Sequence, residues 1–224
     1  MARMSPESAI EAILFDADGV VQTAHPPFPE KLAALLSPGD SHVEEFVEEV
    51  AALERSALTG AGDFAASLSE LLEMRRSPMH VDDALGILNL AEVEPGILRS
   101  IAEIRRSGVS CYLASNQQRY RAKYMSEVLG YRDVFDAEFY SCYLGFAKPS
   151  RTYFERVLDA LGLEAKQVLF LDDHLDNVEG ALAVGFHATV FAIEPGADNR
   201  SALREALSHY GVDVGAGRGS TESV

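Results

Sequence analysis

From residue 94 onward the sequence repeats one unit: an amphipathic helix, a glycine, then an apolar run. The punctuation falls at Ser107-Gly108-Val109, Leu129-Gly130-Tyr131, Leu161-Gly162-Leu163, Val184-Gly185-Phe186 and Tyr210-Gly211-Val212. A glycine just past a helix suits the left-handed position there, which a side chain would disfavour. Between these glycines the apolar spacing is helical, as in Phe154, Val157, Leu158 and Leu161. The runs 109–114, 168–171 and 188–193 are short, apolar and not alternating, the pattern of strands covered on both faces. Helix–strand alternation of this kind predicts an α/β fold with a doubly wound parallel sheet, Rossmann-like in its layering.

Residues 22–93 do not follow that pattern. After the proline-rich stretch 25–29 comes helix upon helix, with no convincing strand. Val43, Phe46, Val47 and Val50 form one apolar stripe, with Glu44, Glu45, Glu48 and Glu49 on the other face. Phe64, Leu68, Leu71 and Leu72 form a second, and Gly60-Ala61-Gly62-Asp63 and Ser77-Pro78 read as breaks between helices. The stretch is far too long for a loop. We therefore expect a core from 1–21 and 94–212, an inserted α-helical cap at 22–93 lying over the carboxyl ends of the strands, and a small polar tail at 213–224 that is disordered.

Charge narrows the partners. Lys and Arg total 19 against 35 Asp and Glu, a formal charge of −16. Such a surface repels nucleic acid and anionic membranes, so neither is an expected partner. An anionic small molecule would need a local cation, either a metal ion or a well-placed lysine. No apolar run approaches the roughly 20 residues that cross a bilayer, and no signal-peptide stretch follows the start; the expected location is cytoplasmic. Two cysteines, Cys111 and Cys142, make no disulfide framework. Cys111, inside an apolar run, reads as a buried structural thiol.

Four clusters fall where apolar runs end. Ile13, Leu14 and Phe15 run into Asp16, Asp18 and Gly19. A turn beginning there leaves both carboxylates at the strand's carboxyl end, where open α/β sheets place their ligands. An ordinary Asp-Gly turn and part of a calcium loop fit the same residues. Ser115 and Asn116 end the run 109–114 just before a helix starting near Arg119, a place suited to an anion or to a plain helix cap. Lys148 precedes Pro149, which restricts it to extended backbone, and Ser150 is a candidate cap for the following helix. Asp172 and Asp173 follow the run 168–171, and adjacent carboxylates after a buried strand are costly without a cation. A hard cation such as Mg²⁺, with oxygen ligands, resolves that, and Asn177 one turn later could orient a ligand.

Taken together, Asp16-Ala17-Asp18-Gly19-Val20, Ser115 in Ala114-Ser115-Asn116, Lys148 in Lys148-Pro149-Ser150, and Asp172-Asp173 with Asn177 and Ala181 resemble the four ordered motifs of the haloacid dehalogenase-like hydrolase superfamily. The resemblance is to its branch with a helical cap between the first two motifs, and it spans roughly residues 11–195. It implies a Mg²⁺-dependent phosphatase that hydrolyses a small phosphomonoester, such as a sugar phosphate, through an aspartyl-phosphate. Asp16 would be the nucleophile and Asp18 the acid and base. Ser115, Asn116 and Lys148 would bind the phosphoryl group. Asp16, the Asp18 carbonyl and Asp173 would hold the metal, with Asp172 the less favoured of the adjacent pair. A dehalogenase shares Asp16, Ser115 and Lys148 but lacks the second aspartate. A phosphomutase and a non-catalytic binding module are further alternatives, and a monomer or homodimer is expected. Candidates for choosing the ester are His25, Arg55 and Thr59-Gly60 in the cap, with Arg119 and Arg121 in the core. His174 reads as a first-turn helix residue, since Mg²⁺ prefers oxygen.

Overall fold

The computed structural model describes residues 9–24, 27–36 and 42–213. His25 and the tail 214–224 therefore lie outside the described residues. The strands are β1 Ala12–Phe15, β2 Gln22–Ala24, β3 Ala91–Val93, β4 Ser110–Ser115, β5 Ala137–Tyr140, β6 Val168–Asp172 and β7 His187–Val190. Five of them form a parallel sheet in the order β5-β4-β1-β6-β7, with β1 at its centre. All four residues of β1 are buried because both faces of the sheet are covered.

Side-chain alternation divides the sheet into two cores. Ile13, Phe15, Leu113 and Leu171 pack with Ile97, Ile101 and Ile104 of the helix Pro95–Ser107 and with Leu203 and Leu207 of the helix Asn199–Ser208. Leu14, Ala114 and Phe170 pack with Tyr153, Phe154 and Val157 of the helix Arg151–Leu161 and with Val178 and Ala181 of the helix Leu175–Leu182. Each large apolar side chain buried this way contributes about 1.5–3 kcal/mol. The glycine stops are where the sequence predicts them: Gly108 and Gly162 end their helices at φ 97° and 65°.

Between residues 28 and 89 the described residues form four helices, Phe28–Ala33, Val43–Ala57, Phe64–Met74 and Val81–Asn89. They enclose a separate apolar cluster that includes Leu32, Phe46, Val50, Phe64, Leu68, Leu72 and Leu85. Asp63 caps the third helix, accepting a hydrogen bond from the Ala66 N–H at 3.1 Å. Among the described residues no helix is long and apolar enough to cross a membrane.

The structure corrects several readings. The stretch 22–93 does hold strands: β2 and β3 pair antiparallel, Gln22 with Val93 and Ala24 with Ala91. This ribbon leads out to the cap and back, and three-residue strands are too short to show a periodicity. Strand β5 at the sheet edge also escaped notice. The run 188–193 is strand only to Val190, and Gly130 opens a short helix, Tyr131–Val134, rather than a strand. Ser150 precedes the helix Arg151–Leu161 without a side-chain cap hydrogen bond. The helix after Ser115-Asn116 does begin at Arg119, but its cap is Gln118, whose Oε1 accepts from the N–H groups of Tyr120 and Arg121.

Register then fixes the site. Phe15 pairs with Leu113 on one side and Leu171 on the other. One residue further, Asp16 is level with Ala114 and Asp172; one more, Ala17 is level with Ser115 and Asp173. The first motif, the serine and the acidic pair thus reach one edge of the sheet together.

Candidate active site

Lys148 is the hub of this edge. Its ammonium lies 2.8 Å from Asp16 Oδ1 and donates to Asp172 Oδ2 at 2.6 Å and the Ala114 carbonyl at 2.7 Å. It also sits 5.1 Å from the centre of the Phe170 ring. All three ammonium protons are therefore engaged within the protein. Its backbone is fixed as well: Asn116 Nδ2 donates to the Lys148 carbonyl, and the Lys148 N–H donates to Asn116 Oδ1, both at 2.8 Å. Asn116, expected on the phosphoryl group, thus spends its amide on Lys148, and Lys148 acts as a fixed positive charge. The Lys148-Pro149 peptide bond is cis.

Asp172 and Asp173 are neighbours with different surroundings, because consecutive residues at a strand end point to opposite sides. Asp172 is wholly buried and accepts from Lys148, from the His174 N–H at 2.9 Å, and from Asn177 Nδ2 at 3.0 and 3.1 Å. Asn177 therefore secures Asp172, not Asp173. The Asp173 carboxylate instead lies against Gly19: a Cβ there would stand 2.3 Å from Asp173 Oδ2, at a backbone φ of 86°. His174, the cap residue of the helix Leu175–Leu182, places Nδ1 2.8 Å from Asp173 Oδ1. Ligand atoms of Asp172, Asp173 and His174 lie within 4.8 Å of one another.

Burial pushes the Asp16 carboxyl up to about 7; Lys148 opposes the rise and Asp172 adds to it. Burial disfavours the Lys148 charge too, but Asp16 and Asp172 outweigh it and hold the ammonium above its ordinary value. One ammonium facing two carboxylates leaves negative charge in a buried place.

Asp18 faces the other way. Its Oδ1 accepts from Gln22 Nε2 at 2.8 Å and from Arg121 at 2.7 Å, and its Oδ2 accepts from Gln117 Nε2 at 2.8 Å. Gln22 is held in turn by the Tyr131 hydroxyl at 2.7 Å. Beyond Asp18 a cavity of about 450 Å³ opens between cap and core, with Asn116 to Gln118 at one end and Leu58, Phe64, Glu54 and Arg55 among its cap walls. Ser115 closes β4 and is buried. Gly60 marks the approach of the cap to the core: at φ 75°, a Cβ there would stand 2.3 Å from the Cys142 carbonyl oxygen. Arg119 stacks its guanidinium 5.4 Å from the Tyr143 ring.

Gln22, Gln117 and Lys31 were missed in the sequence. Gln117 directly follows Ser115-Asn116, a signal that could have found it, whereas Lys31 sits in a helical stretch with no motif. Lys31 is nearly fully buried and donates to the carbonyls of Leu88, at 3.3 Å, and Leu90. Burial, with Arg121 adding and Asp18 opposing, lowers its ammonium from 10.5 to about 8. Between these values the unfolded chain binds the proton and the native chain does not, so stability rises with pH. Relative to Lys31→Met, the wild type is expected to gain on the order of 1–3 kcal/mol from pH 8 to 10.5, read by urea denaturation.

Known proteins resemble this chain in sequence and in fold. The family model for haloacid dehalogenase-like hydrolases matches residues 10–185. The chain is 27% identical over 157 residues to Phosphatase MT3486 of Mycobacterium tuberculosis, covering 69% of this chain and 71% of that one. It is 22% identical over 199 residues to the phosphorylated carbohydrates phosphatase of Thermotoga maritima, covering 88% and 91%. The crystal structure of the HAD family enzyme bt-2542 from Bacteroides thetaiotaomicron, a complex with magnesium and inorganic phosphate, superimposes with a TM-score of 0.71 at 20% identity, over 88% of this chain and 100% of that one. A parallel sheet wound on both faces, a helical insertion after its first strand and a family match over most of the length lead to one conclusion: this chain belongs to the haloacid dehalogenase-like hydrolases.

Proposed function

We propose that the chain is a Mg²⁺-dependent phosphatase that hydrolyses a small phosphomonoester, such as a sugar phosphate, through an aspartyl-phosphate on Asp16, with residues 22–93 as the cap that selects the ester. The observation that carries this reading is the meeting of Asp16, Lys148 and Asp172 at the edge of the sheet, with Asp173 against Gly19 in the turn that also carries Asp18.

The donor set suits a divalent cation. Asp16, Asp172 and Asp173 against Lys148 leave two negative charges, the donors are hard oxygens, and burial has already raised Asp16. Asp16, Asp173 and the Asp18 backbone carbonyl would hold the ion; Asp172, with Lys148, His174 and Asn177 on its oxygens, would support them. When bound, Mg²⁺ supplies positive charge that screens a carboxylate approaching a phosphoryl group. Gly19→Ala tests this arrangement, since its Cβ would displace Asp173. The expected result is a 10- to 100-fold weaker half-saturation by Mg²⁺, on the order seen for supporting residues at metal sites.

In the reaction Asp16 attacks phosphorus, a bond from its carboxylate to phosphorus forms, and the bond to the ester oxygen breaks. Asp18 gives its proton to that oxygen. Water then attacks phosphorus, Asp18 takes the water's proton, and the bond to Asp16 breaks, which releases phosphate. Lys148 orients Asp16 and offsets its charge, while Ser115 and the amides that follow it hold phosphoryl oxygens. The leaving group would enter the cavity beyond Asp18, where Glu54 and Gln117 can meet hydroxyls and Leu58 and Phe64 an apolar face. Phosphate release from phosphorylated sugars and an aryl phosphate, with and without Mg²⁺, tests the reading. Release that requires Mg²⁺ supports it, and no release from any ester by folded protein contradicts it.

A further inference from the structure

We propose that Arg121 is the positioning residue for Asp18, anchoring one oxygen of that carboxylate to the cap so that the other is left for the reacting proton. The inference rests on the phosphatase reading and assigns a residue to the proton-handling step within it.

Arg121 lies in the first turn of the helix Arg119–Glu127 and is buried, and Gln118 fixes its backbone. Its guanidinium has two anchors on opposite sides. One arm pairs with Asp18 Oδ1 at 2.7 Å. The other donates to the Leu88 carbonyl at 2.9 Å. Leu88 is in the last turn of the cap helix Val81–Asn89, where carbonyls lack helical partners and attract cations. Lys31, within the cap, donates to the same carbonyl. A planar fork of fixed donors can span both groups; an ammonium on a flexible stem cannot do so equally well.

The consequence lies in how the lone pairs of Asp18 are used. Oδ1 accepts from both Gln22 and Arg121, so it is saturated. Oδ2 accepts one hydrogen bond, from Gln117, and keeps a lone pair. Oδ2 is thus the oxygen that exchanges a proton with the leaving group or water. The Leu88 carbonyl of the cap holds one arm of Arg121 while the other holds Asp18, so the place of the cap and the aim of Asp18 are coupled.

The test is the dependence of kcat/KM on the leaving group, measured for wild type, Arg121→Met, Arg121→Lys, Asp18→Asn and Asp16→Asn. An activated aryl phosphate leaves without a proton, whereas an alkyl phosphate needs one. Arg121→Met is expected to lower kcat/KM for the alkyl ester by at least about 10-fold more than for the aryl ester, toward the larger difference set by Asp18→Asn. Arg121→Lys is expected to recover part of it. The ratio of two esters is taken within one preparation, so a partly folded variant does not distort it. An equal loss on both esters, or none, overturns the assignment, because a latch that only holds the cap would affect every ester alike. If the wild type releases phosphate and Asp16→Asn does not, that failure belongs to Arg121 alone. If the wild type releases none, the phosphatase reading falls and this assignment with it.

Discussion

Asp16→Asn is expected to lower Mg²⁺-dependent phosphate release by on the order of 10⁴-fold or more, the scale of losing a nucleophile from a covalent mechanism. The substitution keeps the shape of the side chain. It keeps an oxygen that can accept from Lys148, 2.8 Å away in the wild type. It also removes one of two carboxylates facing that lysine, so the native fold should be retained or even stabilised. Activity and stability are thus expected to separate. A folded Asp16→Asn protein that retains a tenth of the wild-type rate would show that another group attacks phosphorus.

Lys148→Met has the opposite character, because it damages both. It leaves Asp16 and Asp172 buried side by side with no ammonium between them and frees the Ala114 carbonyl as well. Removing one partner from a buried ionic cluster costs about 3–5 kcal/mol, read as a fall in the urea midpoint without Mg²⁺. Adding Asp172→Asn to Lys148→Met is expected to restore part of that loss, since it removes one of the two stranded charges. Phosphate release is also expected to fall, by on the order of 10²–10³-fold, because a fixed charge beside the nucleophile is lost. A loss under about 1 kcal/mol would mean that the cluster is far more solvated than its burial indicates.

The layering of the core and the order of its motifs were legible because both rest on local chemistry. Glycine stops at Gly108 and Gly162, and apolar runs that end in Asp16, Ser115 and Asp172, are short-range signals, and a parallel sheet brings such ends to one edge. The ribbon of β2 and β3 was not legible, since three residues show no period and their pairing spans the whole cap. Nor was the division of labour in the acidic pair: that Asp172 serves Lys148 and Asp173 faces Gly19 follows from strand register, not from residue type. Gln22 and Lys31 escaped notice, and Arg121 reads from the sequence as a candidate for the ester rather than as a partner of Asp18, for a related reason. Their partners lie 4, 57 and 103 residues away: the first bond forms only when the turn after β1 closes on itself, the second when two cap helices pack together, and the third when a core helix packs beside that turn.

In the proposed reaction Asp16 carries the phosphoryl group between two half-reactions, and trapping it there is the direct test. Asp18→Asn protein is mixed with an aryl phosphate and Mg²⁺, quenched in acid, and its peptides are weighed. The aryl leaving group needs no proton, so phosphorylation proceeds, while loss of the Asp18 base slows the hydrolysis that follows. Close to one phosphoryl group per chain is expected, on the peptide that contains Asp16, and none in Asp16→Asn. Turnover with no phosphorylated peptide, or a phosphoryl group on any other residue, would contradict it.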